Sequence, residues 1–479
     1  MALKQQVISG VKWTSISMLV SATIQYIKLA VLARLLTPSD FGLMGMIMVV
    51  IGFAQAFTDM GISNAIIYRQ DTTNDQLSSL YWLNLLAGAS VFLIVCISSP
   101  LIVKFYHEPR LYNLLYLTSL IFLITPLGQQ FQILMQKKLN FNALAKIDIA
   151  TLIINFVAAI GSAFVGFGVY SLVWGQLAST ITRVLLLGWI SWRQWHPLLH
   201  FARRDLRGYI QFGLYQMGNR SINYLNSNID YLLIGSMLGA TELGFYTLAY
   251  NLIIKPSSLI NPAITKVAFP VFSLIQSDTE KLKRGYLKIM QLLSLMNFPM
   301  MVGLAVVAPI AIPVIFGNQW YPSVVLTQIL TIVGLLRSTE NPVGSLVLAK
   351  GRADLGFKWD LMQTATQIPG IYLGAKFGGS IGVAIAYATL QALYAIFNYL
   401  ILIRTLIGKC LKAYILSMWP PMWMSGVMAT IMISAVNLLG SSISLMSLCI
   451  YIVLGITTFS FLLYRFNKEL LIEIRKMIL

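Results

Sequence analysis

Long apolar segments recur along the whole chain and are separated by short polar stretches. A run of about 20 apolar residues is long enough to cross the hydrocarbon core of a bilayer as a helix. The pattern predicts about fourteen such spans, at residues 11–35, 41–66, 78–103, 111–133, 144–165, 169–190, 209–237, 243–270, 285–312, 322–348, 357–376, 381–403, 414–437 and 444–464. We therefore expect an all-α polytopic membrane protein.

The composition agrees with a membrane protein. The 479 residues are 57% hydrophobic and only 10% charged, whereas soluble domains carry about 25% charged residues. The net charge of +18 would suggest a nucleic-acid partner in a soluble protein. In a membrane protein the same excess is typical of basic cytoplasmic loops, so we expect no nucleic acid. The three cysteines form no even framework in the loops, and no disulfide is predicted.

The basic residues lie mostly in alternate loops, which predicts the orientation of the chain. One set of loops and the tail hold most of them: Arg69, Lys137, Lys138, Lys146, Arg193, Arg203, Arg204, Arg207, Lys281, Lys283, Arg284, Lys350, Arg352, Lys358, Arg404, Lys409, Lys412, Arg465, Lys468, Arg475 and Lys476. The other set has little beyond Lys104, Arg110 and Lys376. Because cytoplasmic loops are enriched in lysine and arginine, we expect both termini in the cytoplasm.

An internal repeat predicts two lobes of six helices. Segment 35–43 closes the first hairpin and segment 237–245 closes the hairpin between spans seven and eight; the acid, the next apolar residue and the glycine align as Asp40-Phe41-Gly42 and Glu242-Leu243-Gly244. Parallel repeats with a substrate site at their interface are one plan of membrane transporters. The predicted organisation is an N-terminal lobe at 1–191, an interfacial linker at 192–208, a C-terminal lobe at 209–405, and two additional helices with a tail at 406–479.

Six basic residues stand out within or at the edges of the predicted spans: Lys28, Arg34, Arg220, Lys255, Lys266 and Arg337. A charge at bilayer depth is costly and normally faces a protected cavity. Arginine and lysine match phosphate oxygens, so the set predicts a central cationic cavity that binds an anionic cargo. The alternative is that some of them form structural ion pairs or extend to the interface. For Arg34 and Lys266, near the ends of their spans, both interpretations stay open.

Three acidic residues within the spans are candidates for ion coupling or for cavity acids: Asp59, Asp230 and Glu340. Buried carboxylates serve as proton or cation sites in transporters. The alternative for Glu340 is a salt bridge with Arg337, three residues earlier on the same helix face.

No pattern in the chain indicates an enzyme or a metalloprotein. His196 and His200 are four residues apart in the linker, but no carboxylate or cysteine completes a ligand set and Pro197 disfavours one continuous helix. No nucleophile triad, phosphate-binding loop or dinucleotide motif occurs. We expect no catalytic residue, no metal and no cofactor.

Several short motifs, each weak alone, together resemble a known family. They are segment 34–42, Asp59-Met60-Gly61, Asn228-Ile229-Asp230, Ile234-Gly235, segment 243–246, Phe269-Pro270, segment 317–320 and Gly351-Arg352. In this order they are similar to the polysaccharide-transporter branch of the multidrug/oligosaccharidyl-lipid/polysaccharide exporter superfamily, close to the colanic-acid-exporter-like flippases of the Wzx type.

The resemblance implies a flippase in the bacterial inner membrane. Its cargo would be oligosaccharide repeat units linked to undecaprenyl pyrophosphate, used for exopolysaccharide or lipopolysaccharide synthesis. It implies alternating access between two six-helix lobes, contact with membrane lipids, and a polymerase and chain-length machinery as candidate partners. Some relatives use a sodium or proton gradient, and the sequence leaves this coupling open.

Three other functions stay open at this point. A multidrug exporter of the same superfamily mostly carries cationic drugs, which a cationic cavity should repel. A peptidoglycan lipid-precursor flippase also has about fourteen spans and a cationic cavity, but the motifs favour the polysaccharide type. A scaffold that transports nothing would not need basic residues within its spans.

Overall fold

The structure is a computed structural model that describes residues 2–58, 66, 71–206, 209–439 and 444–467. These residues form helices and no strand, as the hydropathy pattern predicts. The α-helices are α1 (Ala2–Leu35), α2 (Pro38–Thr58), α3 (Asn74–Tyr106), α4 (Leu111–Ser119), α5 (Ile121–Lys137), α6 (Phe141–Phe164), α7 (Tyr170–Ser191), α8 (Ile210–Leu238), α9 (Ala240–Leu274), α10 (Thr279–Phe316), α11 (Ser323–Ala349), α12 (Ala353–Phe397), α13 (Arg404–Ile407), α14 (Leu411–Leu439) and α15 (Leu445–Phe466).

The chain forms two compact units, Met1–Gly244 and Phe245–Leu479. A buried cluster in the first unit includes Tyr81, Phe131 and Tyr209. A buried cluster in the second unit includes Phe272, Tyr286 and Tyr399. The division into two six-helix lobes, a linker and two further helices stays a prediction.

Nine helical segments in the described ranges are long and apolar enough to cross a membrane. One of them, Asp354–Ile407, covers two predicted spans in a single run of 54 residues. Gly379 divides this run, because its φ of 59° and ψ of −147° are not helical. The protein is therefore a multi-pass membrane protein, and α12 changes direction at the point where the sequence predicts a turn between two spans.

Polar caps extend several helices beyond their apolar spans. Thr73 and Gln76 form a reciprocal capping box that starts α3 at Asn74, four residues before the predicted span. Asp278 accepts a hydrogen bond from the Lys281 amide and starts α10 at Thr279. The difference from the prediction arises because hydropathy detects the membrane-embedded part of a helix and not its solvated first turn.

The segment 37–40, between α1 and α2, forms the start of α2. The Asp40 carboxylate accepts hydrogen bonds from the Thr37 amide and the Thr37 hydroxyl, at 2.9 and 2.8 Å. The Thr37 hydroxyl in turn accepts from the Asp40 amide at 3.3 Å. Pro38 occupies the first helical position, where its missing N–H costs nothing. Threonine, proline and aspartate are thus explained by local geometry alone.

The two aligned glycines of the repeat make reciprocal contacts. A Cβ at Gly42 would collide with the backbone of Ala240, and a Cβ at Gly244 would collide with the backbone of Pro38. Pro38 and Ala240 are themselves equivalent positions of the repeat, each four residues before its glycine. Both contacts lie within the first unit, and their symmetry is what an internal repeat produces.

The predicted linker packs against the first half of α3. Trp82 Nε1 donates to the Leu198 carbonyl at 2.8 Å, and Ser79 Oγ donates to Asp205 at 2.9 Å. His200 contacts the same Asp205 carboxylate at 2.9 Å, and these two contacts lower the pKa of Asp205. No cluster of metal-ligand residues occurs in the described ranges.

Candidate functional site

Lys28 forms a polar contact inside the first unit. Its Nζ donates to Asn155 Oδ1 at 2.6 Å, which connects α1 to α6. Asn155 Nδ2 donates in turn to Ser179 Oγ of α7 at 3.4 Å. Lys28 lies seven residues before the end of α1, about 10 Å along the axis. The contact thus positions the ammonium of Lys28 against α6.

Arg34, Arg220 and Asp230 lie in different surroundings. Arg34 is exposed in the last turn of α1, where a cation complements the partial negative charge of a helix C-terminus. Arg220 is also exposed, on α8. Asp230 is 1% exposed on the same helix, about 15 Å further along, too far for a direct ion pair with Arg220.

Arg337 is anchored by two phenols in the second unit. Its Nη1 donates to the hydroxyl of Tyr250 on α9 at 3.0 Å and to that of Tyr387 on α12 at 3.1 Å. Tyr250 stacks on Tyr246, with ring centroids 5.9 Å apart. A guanidinium carries five N–H donors, and these two contacts orient it through a single nitrogen. Residues of three helices thus meet at this guanidinium.

Lys255 and Glu340 are half-buried in the same unit. Lys255 follows Tyr250 by five residues on α9. Glu340 follows Arg337 on α11 and lies within electrostatic reach of Arg337 and Gln391. One of its carboxylate oxygens is buried and receives no hydrogen bond from the described residues. A role of Glu340 in ion coupling stays a prediction.

The structure locates the predicted cations in both units. Lys28, Arg34 and Arg220 belong to the first and Lys255 and Arg337 to the second. Their convergence on one cavity stays a prediction. Asp59 lies outside the described residues.

An ion pair within the first unit was not predicted. Arg183 Nη2 of α7 lies 2.8 Å from Asp148 Oδ1 of α6, and Arg183 Nε donates to Gln132 of α5 at 3.4 Å. A signal existed in the sequence. Asp148 comes seven residues after the start of α6 and Arg183 eight residues before the end of α7. Consecutive antiparallel helices place such positions at matching depth.

A buried amide network in the second unit was also missed. Asn297 of α10 is fully buried; its Nδ2 donates to Asn261 Oδ1 of α9 at 3.0 Å. Ser257 Oγ donates to Asn297 Oδ1 at 3.2 Å. Buried amides require hydrogen-bond partners. These two bonds supply them and join the proline-containing part of α9 to α10. The sequence signal for this network was the presence of asparagine within predicted apolar spans.

A family model described as "Polysaccharide biosynthesis protein" matches residues 31–325. The chain belongs to this family. It is 36% identical over 425 residues to the lipopolysaccharide biosynthesis protein WzxC of Escherichia coli (strain K12), covering 89% of this chain and 86% of that protein. It is 35% identical over 434 residues to the teichuronic acid biosynthesis protein TuaB of Bacillus subtilis (strain 168), covering 91% and 88%.

The fold of this polysaccharide biosynthesis protein is also found among solved membrane transporters. The lipid II flippase MurJ in an inward closed conformation superposes with a TM-score of 0.77 at 13% identity, covering 97% of this chain and all of that chain. At this identity the likeness concerns the fold alone. The family membership confirms the resemblance to the polysaccharide branch.

Proposed function

We propose that the protein is a flippase that moves undecaprenyl-pyrophosphate-linked oligosaccharide repeat units from the inner to the outer leaflet of the bacterial inner membrane. The observation that carries this proposal is the family membership, together with basic residues in the predicted spans that side-chain contacts position. Arg337 is oriented by two phenols and Lys28 by an amide, and basic groups of this kind match the oxygens of an anionic headgroup. The relatives named above belong to lipopolysaccharide and teichuronic acid biosynthesis, which need exported sugar units.

In the proposed mechanism the cations bind the pyrophosphate and any acidic sugars while the lipid tail stays in the bilayer. Arg337 and Arg220 offer planar guanidinium groups, and Lys28 and Lys255 offer point charges. Two six-helix lobes, with both termini in the cytoplasm, alternate between inward-open and outward-open states. Glu340 and Asp230 are the candidates for coupling to a sodium or proton gradient. A polymerase and chain-length machinery would receive the product.

Genetic complementation tests the proposal. The gene is deleted and replaced with wild type or with the Arg220→Ala/Arg337→Ala double variant, and surface polysaccharide and lipid-linked intermediates are measured. Arg284→Ala, an exposed basic residue on α10, is the control. We expect the deletion to lose polymer and accumulate lipid-linked units, with rescue by wild type and by the control and no rescue by the double variant.

Other outcomes separate the alternatives. Unchanged polymer with altered drug tolerance would indicate a multidrug exporter. Arrest of cell-wall synthesis with accumulated peptidoglycan precursor would indicate the other flippase. Full rescue by the double variant, inserted at normal levels, would remove Arg220 and Arg337 from the mechanism.

A further inference from the structure

A basic cavity occurs in the second unit, and none of the proposed transport cations is among its lining residues. Its volume is about 720 Å³, and it lies where α10, the π-helix Asn398–Ile403, α13 and the start of α14 meet. Four cations line it: Lys283, Arg404, Lys409 and Lys412. Arg404, Lys409 and Lys412 come from one basic stretch, 404–412, and the fold brings Lys283 of α10 next to it.

Three of these cations are uncompensated. Arg404, Lys409 and Lys412 are exposed and form no ion pair within the described parts of the chain. Lys283 does bond to Glu280, at 2.6 Å. Like charges gathered in one cavity repel each other, and a bound anion relieves that repulsion. The net charge of the cavity therefore selects an anionic ligand.

The loop that carries the cations is fixed by contacts with the helical segment that precedes it. A six-residue π-helix, Asn398–Ile403, precedes α13, and such segments occur often at functional sites. The hydroxyl of Tyr399 in this segment accepts a hydrogen bond from the Cys410 amide at 3.0 Å, which closes the loop onto the helix. Gly408 makes the turn with a φ of 81°. The cavity is thus formed before any ligand arrives.

Backbone groups add to the attraction for an anion. Leu411, Lys412 and Ala413 line the cavity and are the first three residues of α14. The first residues of a helix have N–H groups without acceptors in the helix, and the helix dipole is positive there. Phosphate groups bind readily at such positions.

The surface that continues from the cavity is apolar. Leu400 and Leu416 line the cavity and are 45% and 54% exposed. Ile415 and Trp419, further along α14, are 49% and 53% exposed. A soluble phosphate compound would leave this apolar surface uncovered, whereas the acyl chains of a lipid would cover it. The combination fits an amphiphile with an anionic head.

We propose that this cavity, formed by Lys283, Arg404, Lys409 and Lys412, binds the phosphate headgroup of an anionic phospholipid at the membrane surface. Basic pockets between membrane helices on the cytoplasmic side bind such headgroups, and this face carries the basic loops. The ligand is a phospholipid such as phosphatidylglycerol or cardiolipin, with its chains along the exposed face of α14. None of the proposed transport cations lines this site.

Lipid binding to the purified full chain tests this site. The protein is titrated in neutral detergent with phosphatidylglycerol or cardiolipin, with phosphatidylcholine as the uncharged reference, and bound lipid is counted by native mass spectrometry. The variant is Arg404→Gln/Lys409→Gln/Lys412→Gln. The matched control is Lys281→Gln/Arg284→Gln/Lys358→Gln, which removes the same charge from exposed basic residues outside the cavity. Lys409→Gln/Lys412→Gln is a milder variant, used if the triple variant is not monodisperse.

We expect the cavity variant to lose affinity for the anionic lipids by a factor on the order of a hundred, and the control by far less. Equal losses in the two triple variants would overturn the site, because general surface charge would then explain the binding. A parallel titration with inorganic pyrophosphate distinguishes the source of the phosphate. If pyrophosphate alone binds the wild type as tightly as the lipids do, the site takes soluble phosphate and the lipid assignment is wrong.

Discussion

At the scale of single residues, the cations within the spans differ in how firmly they are held. Arg337 is oriented by Tyr250 and Tyr387, and Lys28 by Asn155. Arg34 and Arg220 are exposed side chains. A group that binds cargo must be positioned by its neighbours, and the contacts of Arg337 and Lys28 meet this requirement.

Removing the phenols that orient Arg337 should weaken export less than removing the charge. We expect Tyr250→Phe/Tyr387→Phe to lower the export rate by about tenfold or more, because hydrogen bonds to a charged group contribute about 1.5–3 kcal/mol. Arg337→Gln should abolish export. Polymer yield in the complemented deletion strain measures both, and Tyr464→Phe on α15 is the control. Full activity of Arg337→Gln would show that this guanidinium does not contact the cargo.

The Arg183–Asp148 pair should be structural. Each single alanine variant leaves one charge without its 2.8 Å partner, so both should lower the thermal unfolding temperature in detergent. The double variant should be more stable than the sum of the singles predicts, with a coupling of about 1 kcal/mol, because directly contacting residues couple. Additive losses would mean that the pair contributes nothing. Export per folded molecule should stay unchanged.

At the scale of helices and turns, the two copies of the repeated segment contact each other through their backbones. Gly42 and Gly244 occupy equivalent positions, and each lacks room for a Cβ. The sequence comparison detected the equivalence, but the contact depends on how two distant hairpins meet. Glycine is therefore needed at both positions for close approach and not for a left-handed backbone.

Alanine at either glycine should destabilise the protein. We expect Gly42→Ala and Gly244→Ala each to lower stability by about 1–3 kcal/mol, the usual cost of forcing atoms into a packed contact. Gly161→Ala in α6 is the matched control, since a Cβ added there would meet nothing within 4 Å, and alanine is the better helix former. Thermal unfolding in detergent measures all three. Equal stability of the three variants would contradict the contact.

The turn within α12 allows a second test, of a glycine that is needed for its backbone conformation. Gly379 has a φ of 59° and a ψ of −147°, a region that is nearly restricted to glycine and costs other residues of order 1–3 kcal/mol. Gly379→Ala should therefore lower the unfolding temperature, whereas Gly378→Ala, with open space around it, should not. Equal effects of the two substitutions would argue against this backbone conformation.

The sequence predicts where the helices lie, but it does not predict which side chains contact each other across helices. Hydropathy places a span wherever about 20 apolar residues must avoid water, and α6, α7 and α15 lie within a few residues of their predicted bounds. The Lys28–Asn155 contact joins residues 127 positions apart, and no spacing rule connects them. The cations of the site could be predicted because charge in a span is unusual, while Tyr250 and Tyr387 were hidden among many aromatic residues.

At the scale of the whole molecule, the distribution of charge predicts the orientation in the membrane. The basic stretches include 279–284 at the start of α10 and 404–412, which runs from α13 to the start of α14 and lines the proposed lipid cavity. Cysteine accessibility checks this: in a variant without the native cysteines, Lys409→Cys should react with a membrane-impermeant reagent only in inside-out vesicles, and Lys104→Cys only in intact spheroplasts. Labelling with the reverse sidedness would invert the proposed topology.

The energetics of the proposed transport lead to the last prediction. The cell interior is negative, so outward movement of an anionic headgroup is favoured by about 2.3 kcal/mol per charge for each 100 mV. Basic residues that move with the headgroup reduce this gain. In proteoliposomes, a potential that is positive on the receiving side should speed flipping of a pyrophosphate-linked lipid, and an ionophore that removes the potential should abolish the increase. A sodium or a proton gradient imposed alone should act only if an acid such as Glu340 couples to it. Flipping that is indifferent to the potential and to both gradients would refute this account, because an anionic cargo moving through a cationic path would then cross without carrying net charge.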